Sequence, residues 1–323
     1  MKKRKIVCFG GGNGLPKAVL CELKKYPFEI TTITSMVDSG GSSGQLKKDF
    51  NVLPPGDLRR HLLALSSAPS WKKELFSFRF GHEKFPGGHK GHCFGNVFLA
   101  GLEYVLRDYK KVLKIAHQFL EVKGKCYPAT IEKTELWAIL ENGQIICGED
   151  EIDVPKKHSP SLSIKKVFLR PKVKAFKEAV LEIKKAEIII IGPGDLFSSI
   201  LPCFLPQGIK EAILKSQAKK ILICPAMTKK GETKNFSVKD FAKEVEKYIA
   251  SSLDFVVFNT RFPSSKRIKL HQKKEPSHLS MVRINKDLDK RKFIGEDLLL
   301  EKGEIFYDPK KVMKLLLKIF KKI

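Results

Sequence analysis

Asp38 closes an apolar run and is followed by Ser39-Gly40-Gly41-Ser42-Ser43-Gly44. A carboxylate in that position can ligate a metal ion or a ribose hydroxyl. The glycines and the two hydroxyls behind it offer N–H and O–H donors to a phosphate. Gly10-Gly11-Gly12-Asn13-Gly14 is a second glycine turn, set between an apolar run and an amphipathic segment. Such a turn lets backbone approach phosphate oxygens at a helix N-terminus. It is not a G-x-G-x-x-G fingerprint, because its third position is Leu15, and Lys17 is out of frame for a P-loop. Tight-turn duty alone would explain it equally well. Gly192-Pro193-Gly194-Asp195 leads to Ser198-Ser199 and repeats the pattern after a third apolar run. Two phosphate loops in one sheet point to a diphosphate or an extended nucleotide.

Two further segments add polar groups at helix starts. Pro54-Pro55-Gly56-Asp57-Leu58-Arg59 brings an acid and an arginine to one turn, where Asp57 either caps the helix or meets a ligand. In Gly91-His92-Cys93-Phe94-Gly95-Asn96 the spacing of His92 and Asn96 puts both on one face of a helix that begins there. No nucleophile–base pair is evident, which favours binding over catalysis, although phosphoryl transfer can run on positioning and charge alone. His82, His89 and His92 have no acidic or cysteine partner in phase, so they read against a metal site.

These segments need strands and helices to bring them together. Lys5–Phe9, Ile30–Val37, Ile188–Ile191, Lys220–Cys224 and Phe255–Phe258 read as strands, short and apolar, as in a parallel sheet covered on both faces. Helical spacing covers 15–25, 58–66, 96–106, 111–120, 174–185 and 238–250. Alternation of this kind predicts an α/β, Rossmann-like, three-layer and mostly parallel sheet, with ligand at the carboxyl ends of its strands. Residues 122–170 read as a small β insertion, 261–278 as a long polar loop, and 309–323 as a terminal helix. That helix has apolar positions 312, 315, 316, 319, 320 and 323 on one stripe with lysines opposite, and docking on the sheet is preferred over a membrane surface. With no clear linker, residues 1–323 read as one domain.

The 323 residues carry 61 Lys+Arg, all but ten of them lysine, against 35 Asp+Glu, a formal charge of +26. Lysine spread along the whole chain reads as solvated helix surface, because nucleic-acid readers favour the planar fork of arginine. A nucleic-acid partner is therefore not expected. No apolar run reaches the ~18 residues of a membrane span, and the short run after Met1–Lys5 is not a signal-peptide core. Seven cysteines without C-x-x-C spacing fit a reduced, cytoplasmic protein.

In their order and combination, these motifs together with Met227-Thr228-Lys229-Lys230-Gly231-Glu232-Thr233 resemble those of the YvcK proteins, in the superfamily of CofD, the 2-phospho-L-lactate transferase. The resemblance runs from about residue 5 to Asp308-Pro309 and takes in Gly148-Glu149 and Asn259. It implies a nucleotide-diphosphate ligand, with a UDP-sugar favoured, bound by a regulator linked to gluconeogenic growth, cell-wall precursor supply and cell shape. The alternative it offers is a phospholactyl transferase acting on a nucleotide-activated donor.

Carried over residue by residue, Gly10–Gly14, Gly40, Gly41, Ser42, Ser43, Gly192, Gly194 and Ser198 would hold phosphates. Asp38 would hold a metal or ribose hydroxyl, and Asn259 the base or ribose. Asp57, Arg59, His92, Asn96, Asp195, Ser199 and Thr228 would complete the site. A protein target and a homodimer are further implications. The chain departs from the family pattern at Ser39 (usually Asp), Arg60 (usually Asn) and Phe306-Tyr307 (usually Arg-His). With one carboxylate gone, no cofactor is required, and Mg²⁺ at Asp38 is the one candidate.

Overall fold

Four consecutive isoleucines, Ile188–Ile191, form a strand whose every residue is buried, the pattern required when helices cover both faces of a sheet. The computed structural model describes residues 3–81 and 91–323, so His82 and His89 lie outside the described residues. In chain order the strands are β1 (Lys5–Phe9), β2 (Glu29–Thr34), β3 (Lys125–Pro128), β4 (Glu135–Leu140), β5 (Ile145–Cys147), β6 (Ile164–Arg170), β7 (Ile188–Ile191), β8 (Lys219–Ile223), β9 (Met227–Lys229), β10 (Phe255–Asn259), β11 (His278–Met281) and β12 (Phe293–Glu296).

Seven of them make a parallel sheet in the order β12-β10-β8-β7-β1-β2-β3. The chain builds outward from β1 through β2 to β3, then returns to the other side of β1 with β7, β8, β10 and β12. The direction of winding therefore reverses between β1 and β7, and the loops leaving these two strands diverge to opposite faces and open a crevice. An antiparallel sheet, β5-β4-β6, and a two-stranded pair, β9 with β11, flank it. Leu136, Ala138, Leu140 and Val167 of the smaller sheet share one core with Ile188–Ile191.

The expected α/β architecture is present, with three local differences. β3 is the edge strand of the main sheet, paired with β2, so the insertion is narrower than 122–170. β2 ends at Thr34 rather than Val37, where its pairing stops at Ile33 opposite Phe9 of β1 and at Thr34 opposite Pro128 of β3. The 261–278 stretch is not a long loop: it contains the helix Ser265–Lys274 and the start of β11. Arg267 secures that helix by donating to the carbonyls of Leu300, Gly303 and Glu304.

The terminal helix Pro309–Phe320 buries Val312, Met313, Leu315, Leu316, Ile319 and Phe320 against the body of the protein. Full burial of such side chains is worth about 1.5–3 kcal/mol each. That exceeds the ~1 kcal/mol per lysine that an anionic membrane surface offers, so docking wins. Ile323, the last position of the stripe, is exposed. Among the described residues no helix is long and apolar enough to cross a membrane.

Candidate functional site

The crevice at the ends of β1 and β7 is a cavity of about 780 Å³. Gly11–Gly14 after β1, Gly40–Ser43 after β2, and Pro193, Gly194 and Asp195 after β7 all line it. The β1 and β7 loops touch: a Cβ on Gly14 would run into the carbonyl oxygen of Pro193, so only glycine allows this approach. His61, fully buried, meets the Gly11 carbonyl through Nε2 at 3.1 Å and fixes the β1 loop from behind. Burial pushes its imidazole down to about 4, so it stands there as a neutral donor. A second cavity, around Phe50, Glu103, Tyr104 and Lys133, lies apart from these loops.

Three segments far apart in sequence meet in one polar chain at Ser42. Arg59 is buried in the helix Gly56–Leu65, and its Nε donates to Asn96 Oδ1 at 2.8 Å. Asn96 Nδ2 donates to Ser42 Oγ at 3.1 Å, and Ser42 Oγ lies 3.0 Å from His92 Nδ1. His92 and Asn96 do meet on one hydroxyl, but not through helical spacing: the helix begins at Phe94, and His92 precedes its N-cap, Cys93. The helix Gly41–Phe50 starts at this point with Gly40 at its N-cap and no side chain capping it, so its first N–H groups face the crevice.

Carboxylates crowd the same crevice. Asp38 accepts from Gly40 N at 3.0 Å and from the Ser43 hydroxyl, and burial still holds its carboxyl above the usual range. Asp57 is not the helix cap; it follows Gly56 in the first turn, beside Arg60 at 3.4 Å. Burial and the neighbouring Asp38 push it up to about 7. Glu149, from the short helix Glu149–Asp153 of the insertion, is pushed up to about 10 by burial and by Asp38, Asp153 and Asp57. Crowded into one crevice, the three acids resist joint ionisation. Position 39 itself brings no carboxylate to this group. Ser39 takes another role, exchanging hydrogen bonds with Asp150 and tying the β2 loop to the insertion.

At β7 the arrangement differs from the expectation. The helical turn Leu196–Ile200 has its N–H groups already taken: Phe197 N and Ser198 N donate to Glu232 Oε2 at 2.7 and 3.1 Å. The Ser198 hydroxyl donates to Glu232 and Asp153. Ser198 is thus committed to internal carboxylates rather than to a phosphate. Lys229, on β9, places Nζ 2.8 Å from Asp195 Oδ2 and 3.6 Å from Glu232 Oε1, and also pairs with Asp153. Burial opposes its charge, but Asp195, Glu232 and Asp153 outweigh that and hold the ammonium protonated. Oxygens of these three acids lie within 4.8 Å of one another, as metal ligands would, with the ammonium among them.

Of the residues singled out by sequence, Gly11, Gly12, Asn13, Gly14, Asp38, Gly40, Gly41, Ser42, Ser43, Asp57, Asn96, Gly194, Asp195, Ser198 and Ser199 line the cavity. Gly10, Arg59, His92 and Gly192 stand behind it. Two are placed elsewhere. Thr228 is fully buried and bonds Ser280 across the β9–β11 pair. Asn259 bonds the backbone of Arg261 and Leu298 beyond β10. Sequence reasoning gave no role to Glu149 or Asp153, nor to Lys229 although its motif was quoted, and it did not foresee the wall formed by Glu275–His278 and Ile305–Tyr307. The run Glu149-Asp150-Glu151-Ile152-Asp153, acidic in a lysine-rich chain, was the available signal for the first two.

Comparison with known proteins agrees with this geometry. Residues 6–299 match the family described as 2-phospho-L-lactate transferase CofD. The chain is 40% identical over 246 residues to a gluconeogenesis factor of Halalkalibacterium halodurans, covering 76% of this chain and 74% of that protein. It is 36% identical over 294 residues to the gluconeogenesis factor of Listeria innocua, covering 88% of each. A crystal structure of a Bacillus halodurans protein superposes with a TM-score of 0.87 at 33% identity, covering 98% of this chain and all of that one. The glycine loops, their meeting at β1 and β7 and these likenesses together place the chain in the CofD family, among the YvcK-type gluconeogenesis factors.

Proposed function

We propose that this protein is a cytoplasmic regulator that binds a nucleoside diphosphate ligand, a UDP-sugar in preference, in the crevice between β1 and β7. One observation carries the reading: the glycine loops after β1 and β2 both line that crevice, and the helix Gly41–Phe50 opens on it uncapped. Backbone N–H groups at Gly11–Gly14 and Gly41–Ser43 bind the phosphates, since an uncapped helix N-terminus favours anions. Ser42, held by Asn96 and His92, orients one phosphate oxygen.

The metal implied by the family resemblance would be held at Asp38, whose charge also acts on Asp57 and Glu149 in the same crevice. When bound, a divalent cation would neutralise the diphosphate and these acids together. Free thiols at all seven cysteines support a reducing compartment. The regulatory role in carbon metabolism, a protein target, and a tie to cell-wall precursors and cell shape rest on the family resemblance. Homodimerisation rests on it too, and nucleic acid is no partner in this reading.

The second reading, a CofD-like phospholactyl transfer, is favoured by the Asp57 carboxyl, poised near neutrality in the crevice. Isothermal titration with UDP-N-acetylglucosamine, UDP-glucose and GDP, with and without Mg²⁺, tests the first reading. Binding of a UDP-sugar tighter than GDP is expected, and absence of UDP-sugar binding at millimolar levels overturns it. Phospholactyl transfer from a GDP-activated donor would instead establish the second.

A further inference from the structure

His271 and His278 form a pair whose proton positions follow from a single backbone amide. His271 lies on the helix Ser265–Lys274 and is 1% exposed, while His278 opens β11 and lines the cavity. Their rings are nearly parallel, 16° apart, and His271 Nε2 is 2.7 Å from His278 Nδ1. The Ile305 N–H donates to His271 Nδ1 at 3.2 Å. An amide nitrogen can only donate, so Nδ1 of His271 carries no proton and the neutral ring holds it on Nε2. That N–H donates to His278 Nδ1, which leaves the His278 proton on Nε2. Among the described residues no hydrogen-bond acceptor is paired with His278 Nε2, on a ring that faces the ligand crevice.

The surroundings keep the pair neutral. A proton added to His271 would set its Nδ1–H against the Ile305 N–H, and one added to His278 would set two donors face to face across 2.7 Å. Burial lowers the affinity of both rings for a further proton. Glu304 and Arg267 act on His271 with opposite sign. Asp195, Lys229, Glu275 and Asp153 face His278, also of mixed sign. Phe306 packs edge-on against His271 at 5.7 Å, and Lys17 covers the Phe306 ring, so the ring planes are held as well.

We propose that His278 is a ligand-binding residue whose Nε2–H donates to an oxygen of the nucleoside diphosphate ligand, and that His271 is a positioning residue that fixes this tautomer. The inference rests on the nucleotide reading given above. It assigns the wall opposite the glycine loops a neutral donor, which binds oxygen acceptors and takes no part in balancing the phosphate charge.

Nitrogen-15 NMR of the wild-type protein labelled in histidine reads the tautomers directly, and titration calorimetry with UDP and UDP-N-acetylglucosamine reads the contact. The expected spectrum shows Nε2–H on both rings, with the His278 signal shifting when nucleotide is added. His278→Phe is expected to weaken binding of UDP-N-acetylglucosamine about tenfold, and to lower the melting temperature modestly because His271 Nε2–H loses its acceptor. An equal loss with UDP assigns the acceptor to the nucleoside diphosphate, and a loss confined to the UDP-sugar assigns it to the sugar. His271→Gln, whose amide can accept from Ile305 and donate to His278, is expected to retain affinity. His271→Leu, which can neither accept from Ile305 nor donate to His278, is expected to free the His278 tautomer, so that an Nδ1–H signal appears on that ring and affinity for both nucleotides falls. An Nδ1–H tautomer at His278 of the wild-type protein, or wild-type affinity in His278→Phe for both nucleotides, overturns the proposal. Failure of the wild type to bind either nucleotide overturns the underlying reading, and this one with it.

Discussion

Lys229 Nζ, 2.8 Å from Asp195 Oδ2, joins the loop after β7 to the insertion, because the same ammonium also pairs with Asp153. Three carboxylates and one cation with little access to water form a unit in which each charge depends on the others. Removing one member of a buried set is costly, since the remainder are left uncompensated.

Lys229→Met is therefore expected to destabilise the fold toward the lower end of about 3–5 kcal/mol, as Asp153 and Asp195 remain partly exposed. Without the ammonium, which opposes the effect of burial on it, the Glu232 carboxyl keeps its proton to higher pH in the folded state. Stability is then lost as pH rises above the ordinary carboxylate range, and the deficit should be larger at pH 8 than at pH 5. Added Mn²⁺ should restore part of it by taking the vacated position. Thermal melts at both pH values with and without Mn²⁺ test this, and a Lys229→Met melt equal to wild type at pH 8 would refute it.

Ser42 is the hub between the β2 loop and the helix that begins at Phe94. Ser42→Ala removes the acceptor for Asn96 Nδ2 and the partner of His92 Nδ1, while Arg59 still holds Asn96 from behind. The expected cost in stability is about 1 kcal/mol, or roughly 1–2 °C in a chain of this length. Affinity for UDP-N-acetylglucosamine should fall about tenfold. Ser43→Asp is a poorer probe, because Ser43 is buried against Gly56 and Asp38, and a new carboxylate there would disturb the fold as well. Calorimetry on Ser42→Ala showing unchanged affinity would remove Ser42 from the binding site.

The glycine loops were readable in sequence because close backbone approach restricts the residue type locally. Gly14 faces the Pro193 carbonyl, and that constraint shows as a glycine after an apolar run. Ile188–Ile191 was readable for a similar reason, since burial on both faces demands continuous apolar residues. β3 was readable as a strand but not as the edge of the main sheet, because Lys-Cys-Tyr-Pro is buried only at alternate positions and carries no mark of which sheet it joins. The helix Ser265–Lys274 is rich in lysine and is secured by Arg267 reaching carbonyls more than thirty residues away, which leaves no local pattern. The same holds for Lys229 and Glu232. A buried charge is legible only through its partners, and these arrive from β7, β9 and the insertion.

Glu149 makes the pH dependence of the empty protein testable. Its carboxyl is raised to about 10 by burial and by Asp38, Asp153 and Asp57. A raised carboxyl favours the folded state fully only below its unfolded value, and that contribution fades as pH climbs toward 10. Glu149→Gln should therefore melt higher than wild type at pH 8, on the order of 2–6 °C, with little difference at pH 4.5. The gain should shrink once Mg²⁺ and UDP are added, because the wild-type acid then has a cation to face. Equal melts at pH 8 would mean that Glu149 does not feel its neighbours.

Gly14 and Gly101 form a matched test of whether the meeting of the β1 and β7 loops matters for binding. An alanine Cβ at 14 meets the Pro193 carbonyl and, at 3.1 Å, Gly194 Cα, so the two loops must separate. Overpacking of this kind costs about 1–3 kcal/mol. At Gly101, on the exposed face of the helix Phe94–Leu106, a Cβ meets nothing within 4 Å, and alanine should stabilise by up to about 1 kcal/mol through helix propensity. Affinity for UDP-N-acetylglucosamine should fall at least about tenfold in Gly14→Ala and stay unchanged in Gly101→Ala. Wild-type affinity in a folded Gly14→Ala protein would show that the phosphates do not lie between β1 and β7. A loss in both variants would trace the effect to general instability instead.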